Sequence, residues 1–128
     1  MIHLIFLLIL SVQIQFKDTD YTFQFYHIDN KVEIIVNDTV VYSSPEIDKN
    51  PKIEGNLSFN ISKYLTDKED IVIIKLYNGF EPYPEHEKDK HWEIEYSLIK
   101  NGKEEIEMMW DQGNNSKTGL VFKKTYRL

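Results

Sequence analysis

The chain has 128 residues, 41% hydrophobic and 28% charged, which describes one globular domain and leaves too little length for a second independent core. It has no cysteine, so a disulfide scaffold, a thiolate metal site and a cysteine nucleophile are excluded. The formal net charge is −6, which argues against nucleic acid, because phosphate-backbone affinity comes from clustered cations and counterion release.

Residues 2–10, IHLIFLLIL, are almost unbroken apolar. The run is shorter than the roughly 20 residues that cross a bilayer. Its length fits the apolar region of a secretory signal, although only His3 stands where a Lys or Arg is usual. Residues 1–16 are therefore expected to be a signal peptide. The alternative is an amino-terminal strand that continues into the alternation of Val12, Ile14 and Phe16. Residues 17–128 form the domain in both cases. The first reading implies a secreted, periplasmic or cell-envelope protein whose mature chain has no integral membrane span.

The rest of the chain repeats every two residues, the period of strands, not every 3.6. In 21–28, YTFQFYHI, the face of Tyr21, Phe23 and Phe25 points inward, with His27 expected on the same side as a half-buried histidine. In 31–37, KVEIIVN, the inward face is Val32, Ile34 and Val36. Asn37-Asp38 joins this strand to 39–43, TVVYS, as a tight hairpin, because both residues tolerate positive φ. Residues 44–54 hold two prolines and read as a loop. Leu57, Phe59 and Ile61 alternate inward in 55–61. Residues 62–70 form a turn with one helical loop near Lys63-Tyr64-Leu65. IVIIKLY, 71–77, is apolar enough for a central strand.

Residues 78–90, NGFEPYPEHEKDK, form the longest irregular stretch. In 91–100, HWEIEYSLIK, Trp92, Ile94, Tyr96 and Leu98 point inward, with Glu93 and Glu95 outward. Asn101-Gly102 is the strongest hairpin signal. The returning strand, 103–110, is expected to bury Ile106, Met108 and Trp110. A last strand, 119–126, alternates through Leu120 and Phe122. About eight short strands with turns between them specify an all-β chain, a single antiparallel β-sandwich of jelly-roll or immunoglobulin-like type.

The acidic residues all precede position 112, whereas Lys117, Lys123, Lys124 and Arg127 follow it. The basic end is read either as a strand set against acidic neighbours or as a docking edge for an acidic partner.

Three pieces, VEIIVNDTVVY, LSFNISKYL and DIVIIKLYN, carry a resemblance. Residues 29–78 resemble the galactose-binding-like (jelly-roll) accessory domains found beside secreted glycoside hydrolases, with Asp38 where that family often has glycine. The resemblance implies a β-sandwich in which Phe59, Ile61, Tyr64 and Leu65 are core and turn residues. Such domains include sugar binders, protein-docking modules and spacers, so the fold alone does not assign a function.

No nucleophile elbow, phosphate loop or Ser/His/Asp pattern is present, and no catalytic residue is assigned. Phe80 and Tyr83 lie in a proline-containing loop with Glu81 and Glu85. Exposed rings can stack on a sugar face while carboxylates accept hydroxyl hydrogen bonds, which makes these four the candidate ligand-binding residues. The competing reading folds the rings back over the end of the sandwich. His86 and His91, among Glu85, Glu87 and Asp89, have metal-ligand chemistry but no metal-motif spacing, and are read first as part of a solvated charged loop. No cofactor is expected.

Four Asn-x-Ser/Thr sequons begin at Asn37, Asn56, Asn60 and Asn114. They are glycan acceptors if the chain passes through a eukaryotic secretory pathway, and carry no meaning in a bacterial one. The sequence thus points to a non-catalytic exported binding module for a glycan or a protein partner. The alternatives are a small acidic inhibitor or immunity-type protein, and a structural subunit of a cell-envelope assembly joined through a sheet edge.

Overall fold

The computed structural model describes residues 17–45, 52–79, 91–114 and 118–128. The strands are β1 (Tyr21–Asp29), β2 (Lys31–Val36), β3 (Thr39–Ser43), β4 (Lys52–Asn60), β5 (Ile71–Asn78), β6 (Trp92–Lys100), β7 (Glu104–Gly113) and β8 (Gly119–Arg127). A single 3-10 turn, Ser62–Tyr64, follows β4. They form two antiparallel four-stranded sheets, ordered β4-β1-β6-β7 and β3-β2-β5-β8, packed as a sandwich. The stretch read as a loop over 44–54 is shorter than expected, because β4 already starts at Lys52.

Both hairpins form where the turn chemistry placed them. Asn37 and Asp38 have φ of 47° and 69°, and Asn101 and Gly102 have 53° and 68°. Two consecutive left-handed residues give the twist that a two-residue hairpin needs. We call the end of the sandwich that carries these hairpins the lower end.

The core is built by alternation in four strands, including β5, whose nearly continuous apolar run buries one face fully and the other only in part. Phe23, Phe25, Val32, Ile34, Val72, Ile74, Leu76, Ile94, Tyr96 and Leu98 are buried between the sheets. Tyr96 packs edge-on against Phe23 and Phe122, with ring centroids 5.7 and 6.4 Å away. Its hydroxyl meets that of Tyr126 at 2.5 Å. This bond crosses from one sheet to the other and satisfies two buried polar groups at once. Burial pushes both phenols above their usual titration range.

Register shifts interrupt several of the strands, and those in β1, β7 and β8 change which parity faces the core. Leu98 pairs with Glu107 while Ile99 pairs with Glu105, so Ile106 is an extra residue. From there on Met109 lies opposite buried Tyr96, and Met108 and Trp110 lie opposite outward Ser97 and Glu95. Ile106, Met108 and Trp110, expected inside, are 40%, 50% and 60% exposed. A slip of one residue must invert every side chain beyond it, because the strand period is two. Tyr26 plays the same part in β1 and moves His27 to the outer face, opposite Glu95. Val121 does so in β8, so Leu120 is exposed rather than core.

The lower end is closed by a polar knot. Fully buried Asp70 accepts from Asn37 Nδ2 at 2.8 Å, Thr66 Oγ1 at 2.9 Å and Thr66 N at 3.0 Å. Lys17 Nζ lies 3.4 Å from the carboxylate and also donates to the Leu128 carbonyl at 2.7 Å. Burial pushes the Asp70 carboxyl up, but these hydrogen bonds and the Lys17 charge outweigh it, and the group titrates below its usual range. Asp20 is likewise held low, by hydrogen bonds from Asn60 and Ser62.

Two predictions follow from register and knot. In Trp92→Phe the remaining indole, Trp110, should emit red-shifted fluorescence and be readily quenched by acrylamide. In Trp110→Phe the remaining Trp92, 7% exposed, should be blue-shifted and protected; equal quenching of the two would mean that β7 carries no parity inversion. A depressed carboxylate stabilises the fold above its ordinary pKa of 3.8 and loses that contribution as the pH falls through the folded value. Asp70→Asn should therefore cost about 2–4 kcal/mol at neutral pH and flatten the loss of stability on acidification, as read by urea unfolding at a series of pH values.

Candidate functional site

The bulges at Tyr26 and Ile106 bring together side chains that uninterrupted alternation would have separated. On the outer face of the β4-β1-β6-β7 sheet, His27, Glu95 and Trp110 lie in one row across three strands. The next row holds Asp29, Glu93 and Gln112. His27 Nδ1 hydrogen-bonds Glu95 Oε2. The Trp110 indole N–H reaches diagonally to Glu93 Oε2, at 2.7 Å. This bond fixes the ring's polar edge while leaving the residue mostly exposed. A tryptophan so held has already given up the rotamer freedom that binding would otherwise remove.

Around the ring the surface is graded. Met108 and Ile106 continue an apolar line along β7. Ser97 Oγ, buried beneath it, lies 2.8 Å from Glu105 Oε2 and 3.3 Å from Met108 Sδ. On the other side, Asp29 and Glu93 are buried carboxylates on directly opposed residues. His91 joins them, with Nδ1 2.6 Å from Asn114 Oδ1 and Nε2 4.0 Å from Glu93 Oε1. The surface therefore offers one flat apolar ring beside several carboxylates and two imidazoles. That set can stack on an apolar face and accept hydrogen bonds from hydroxyls.

Beneath this surface, Trp92 fills the upper end of the core against Gly113 of β7, its cross-strand partner. A Cβ at Gly113 would lie 2.4 Å from Trp92 Nε1 and 2.6 Å from Cε2. Glycine is needed here for close approach.

Of the residues singled out from sequence, Phe80, Glu81, Tyr83, Glu85 and His86 lie outside the described residues. The two ends of their segment do not. Gly79 N–H donates to Asn30 Oδ1 at 2.7 Å, and His91 sits beside Glu93, so both ends are at the upper end of the sandwich. Among the described residues no three His, Asp or Glu side chains gather closely enough to hold a metal ion. Asn37 and Asn60 use their amides structurally, Asn37 toward Asp70 and Ile71 and Asn60 toward Asp20 and Ser62. Asn56 lies within β4, and Asn114 faces His91.

Sequence alternation missed Trp110 and His27 as surface residues. One signal was present. Met108-Met109-Trp110 and Phe25-Tyr26 are consecutive apolar residues, so either parity could have been buried. A groove of about 370 Å³ at the opposite edge is lined by Val36, Asn37, Thr39, Val40, Val41 and Tyr64. It gathers no charged groups.

Family models, curated proteins and solved structures yield no match to this chain. The functional reading therefore rests on the geometry above.

Gly113→Ala should lower stability by about 1–3 kcal/mol, because the buried indole cannot simply swing aside. Near-ultraviolet circular dichroism should lose its tryptophan band in the variant; an unchanged band and melting temperature would contradict the packing of Trp92 on Gly113.

Proposed function

We propose that the chain is a non-catalytic, exported binding module that takes a glycan on the outer face formed by β1, β6 and β7. The observation that carries this reading is Trp110, 60% exposed yet anchored through its N–H to Glu93. Large rings are normally buried for their area. One that is presented to solvent and held in place suits stacking against the C–H face of a sugar. Glu95, His27 and Gln112 stand within the same two rows and supply acceptors and donors for hydroxyls.

A protein partner is the second reading. It is favoured by the continuation of the apolar line from Trp110 to Met108 and Ile106, which extends beyond what a single sugar ring covers.

The test is a titration of tryptophan fluorescence against a panel of neutral and amino sugars and their oligomers. A binding glycan should shift or quench the exposed component. Trp110→Ala should weaken binding by at least about tenfold, that is about 1.4 kcal/mol, in a variant that stays folded by circular dichroism and loses about 1–3 kcal/mol of stability with the hydrogen bond to Glu93. Binding that survives Trp110→Ala, or no response anywhere on the panel, would remove the glycan reading.

A further inference from the structure

β7 and β8 are edge strands, each pairing on one side only among the described residues. They lie on the same side of the sandwich, one above the other. Lys124 of β8 reaches Glu107 of β7 at 3.6 Å, and the Tyr96–Tyr126 bond joins β6 to β8 close by. β7 runs up from the lower end and β8 runs down to it.

Their charges are opposite. β7 carries Glu104, Glu105, Glu107 and Asp111 and no basic residue, whereas β8 carries Lys123, Lys124 and Arg127 and no acidic one. The basic strand is only weakly offset on its own side: Arg127 Nη1 meets Glu69 Oε1 at 3.2 Å, but both side chains are well exposed, where such a pair contributes little. Lys123 lies opposite Lys75 of β5, and Arg127 opposite Ile71. Exposed edges with free backbone groups invite further pairing. We infer that the partner is a second copy of this chain, docked edge to edge so that β7 of each copy pairs with β8 of the other.

Symmetry makes this arrangement self-consistent. A two-fold axis parallel to the strands, placed between β7 and β8, continues each sheet of one copy into the opposite sheet of the other. It leaves strand direction and height unchanged, so β7 meets β8 of the second copy antiparallel. The heights are those already seen within one copy, where Glu107 stands level with Lys124. Glu105 then falls level with Thr125 of the second copy, with its Lys123 and Arg127 diagonal on the same face, and Trp110 comes near its Leu120. The interface is isologous, and every contact occurs twice.

The competing two-fold, perpendicular to the sheets, also gives antiparallel pairs. It sets β7 against β7 and β8 against β8, four acids facing four and three bases facing three. Like charges directly opposed are destabilising, so charge selects the first arrangement. The outer faces that carry Trp110 remain open in it, and the dimer does not depend on the glycan reading.

Sedimentation velocity across a concentration series tests the dimer. The unaltered protein should dimerise at low salt and dissociate progressively as salt is raised. Glu105→Lys and Arg127→Glu, each shown by circular dichroism to be folded, should separately weaken the dimer at least about tenfold. An equimolar mixture of the two variants should dimerise about as tightly as the parent protein. The mixed dimer has one native junction and one in which both charges are reversed. Three results would overturn the arrangement: a monomer at every salt concentration, tighter association on Glu105→Lys (which would signal β7 against β7), or a mixture no tighter than its components.

Discussion

The space between the two sheets admits one parity of each strand, and the Tyr96–Tyr126 contact sets where that space is centred. Tyr96 touches Phe23, Phe25, Phe122 and Tyr126, rings contributed by both sheets. Its hydroxyl would be costly to bury alone. Pairing it with the Tyr126 hydroxyl removes that cost only when β6 and β8 stand at one relative height. The same height brings Glu107 level with Lys124, so a buried hydrogen bond in the core determines how charge is laid out along the outer edge.

The bulges are the second consequence of this constraint. β7 begins with two glutamates and then alternates apolar residues that would suit the core. The extra residue at Ile106 turns Glu107 inward, where the open flank of the sandwich lets it reach Lys124, and turns Met108 and Trp110 outward. The bulge at Tyr26 carries His27 and Asp29 to the same face. An aromatic ring, two histidines and a set of carboxylates thus share one surface because alternation was interrupted twice. Removing apolar area from the core in this way sacrifices burial that the fold would otherwise gain. Bulges beside binding surfaces commonly re-aim side chains in this manner.

The two ends of the sandwich are organised differently. The lower end is tied by Lys17, Asn37, Thr66, Asp70 and Leu128 through short polar contacts that join β2, β5 and β8 to the segment before β1. The candidate binding surface lies toward the other end, near Gly79 and His91. A rigid base with the binding surface away from it is a common division in β-sandwiches, whose scaffold positions a site without contributing to it.

Much of this was legible in the order of the residues. Alternation located all eight strands, because a strand with one wet face needs a repeat of two. Asn37-Asp38 and Asn101-Gly102 marked both hairpins, because few residues accept positive φ. The three inversions were not legible. A bulge is a relation between two strands, and Ile106, Tyr26 and Val121 are extra only with respect to Ile99, Glu95 and Tyr77 on their neighbours. The sequence by itself thus determined the layers, the turns and most of the core, all of which depend on local periodicity and backbone preference. Only the tertiary structure decided that Trp110 and His27 face water and that the acidic and basic edges lie side by side. Pairing register and sheet order set those positions, and they come from contacts between residues far apart in the chain.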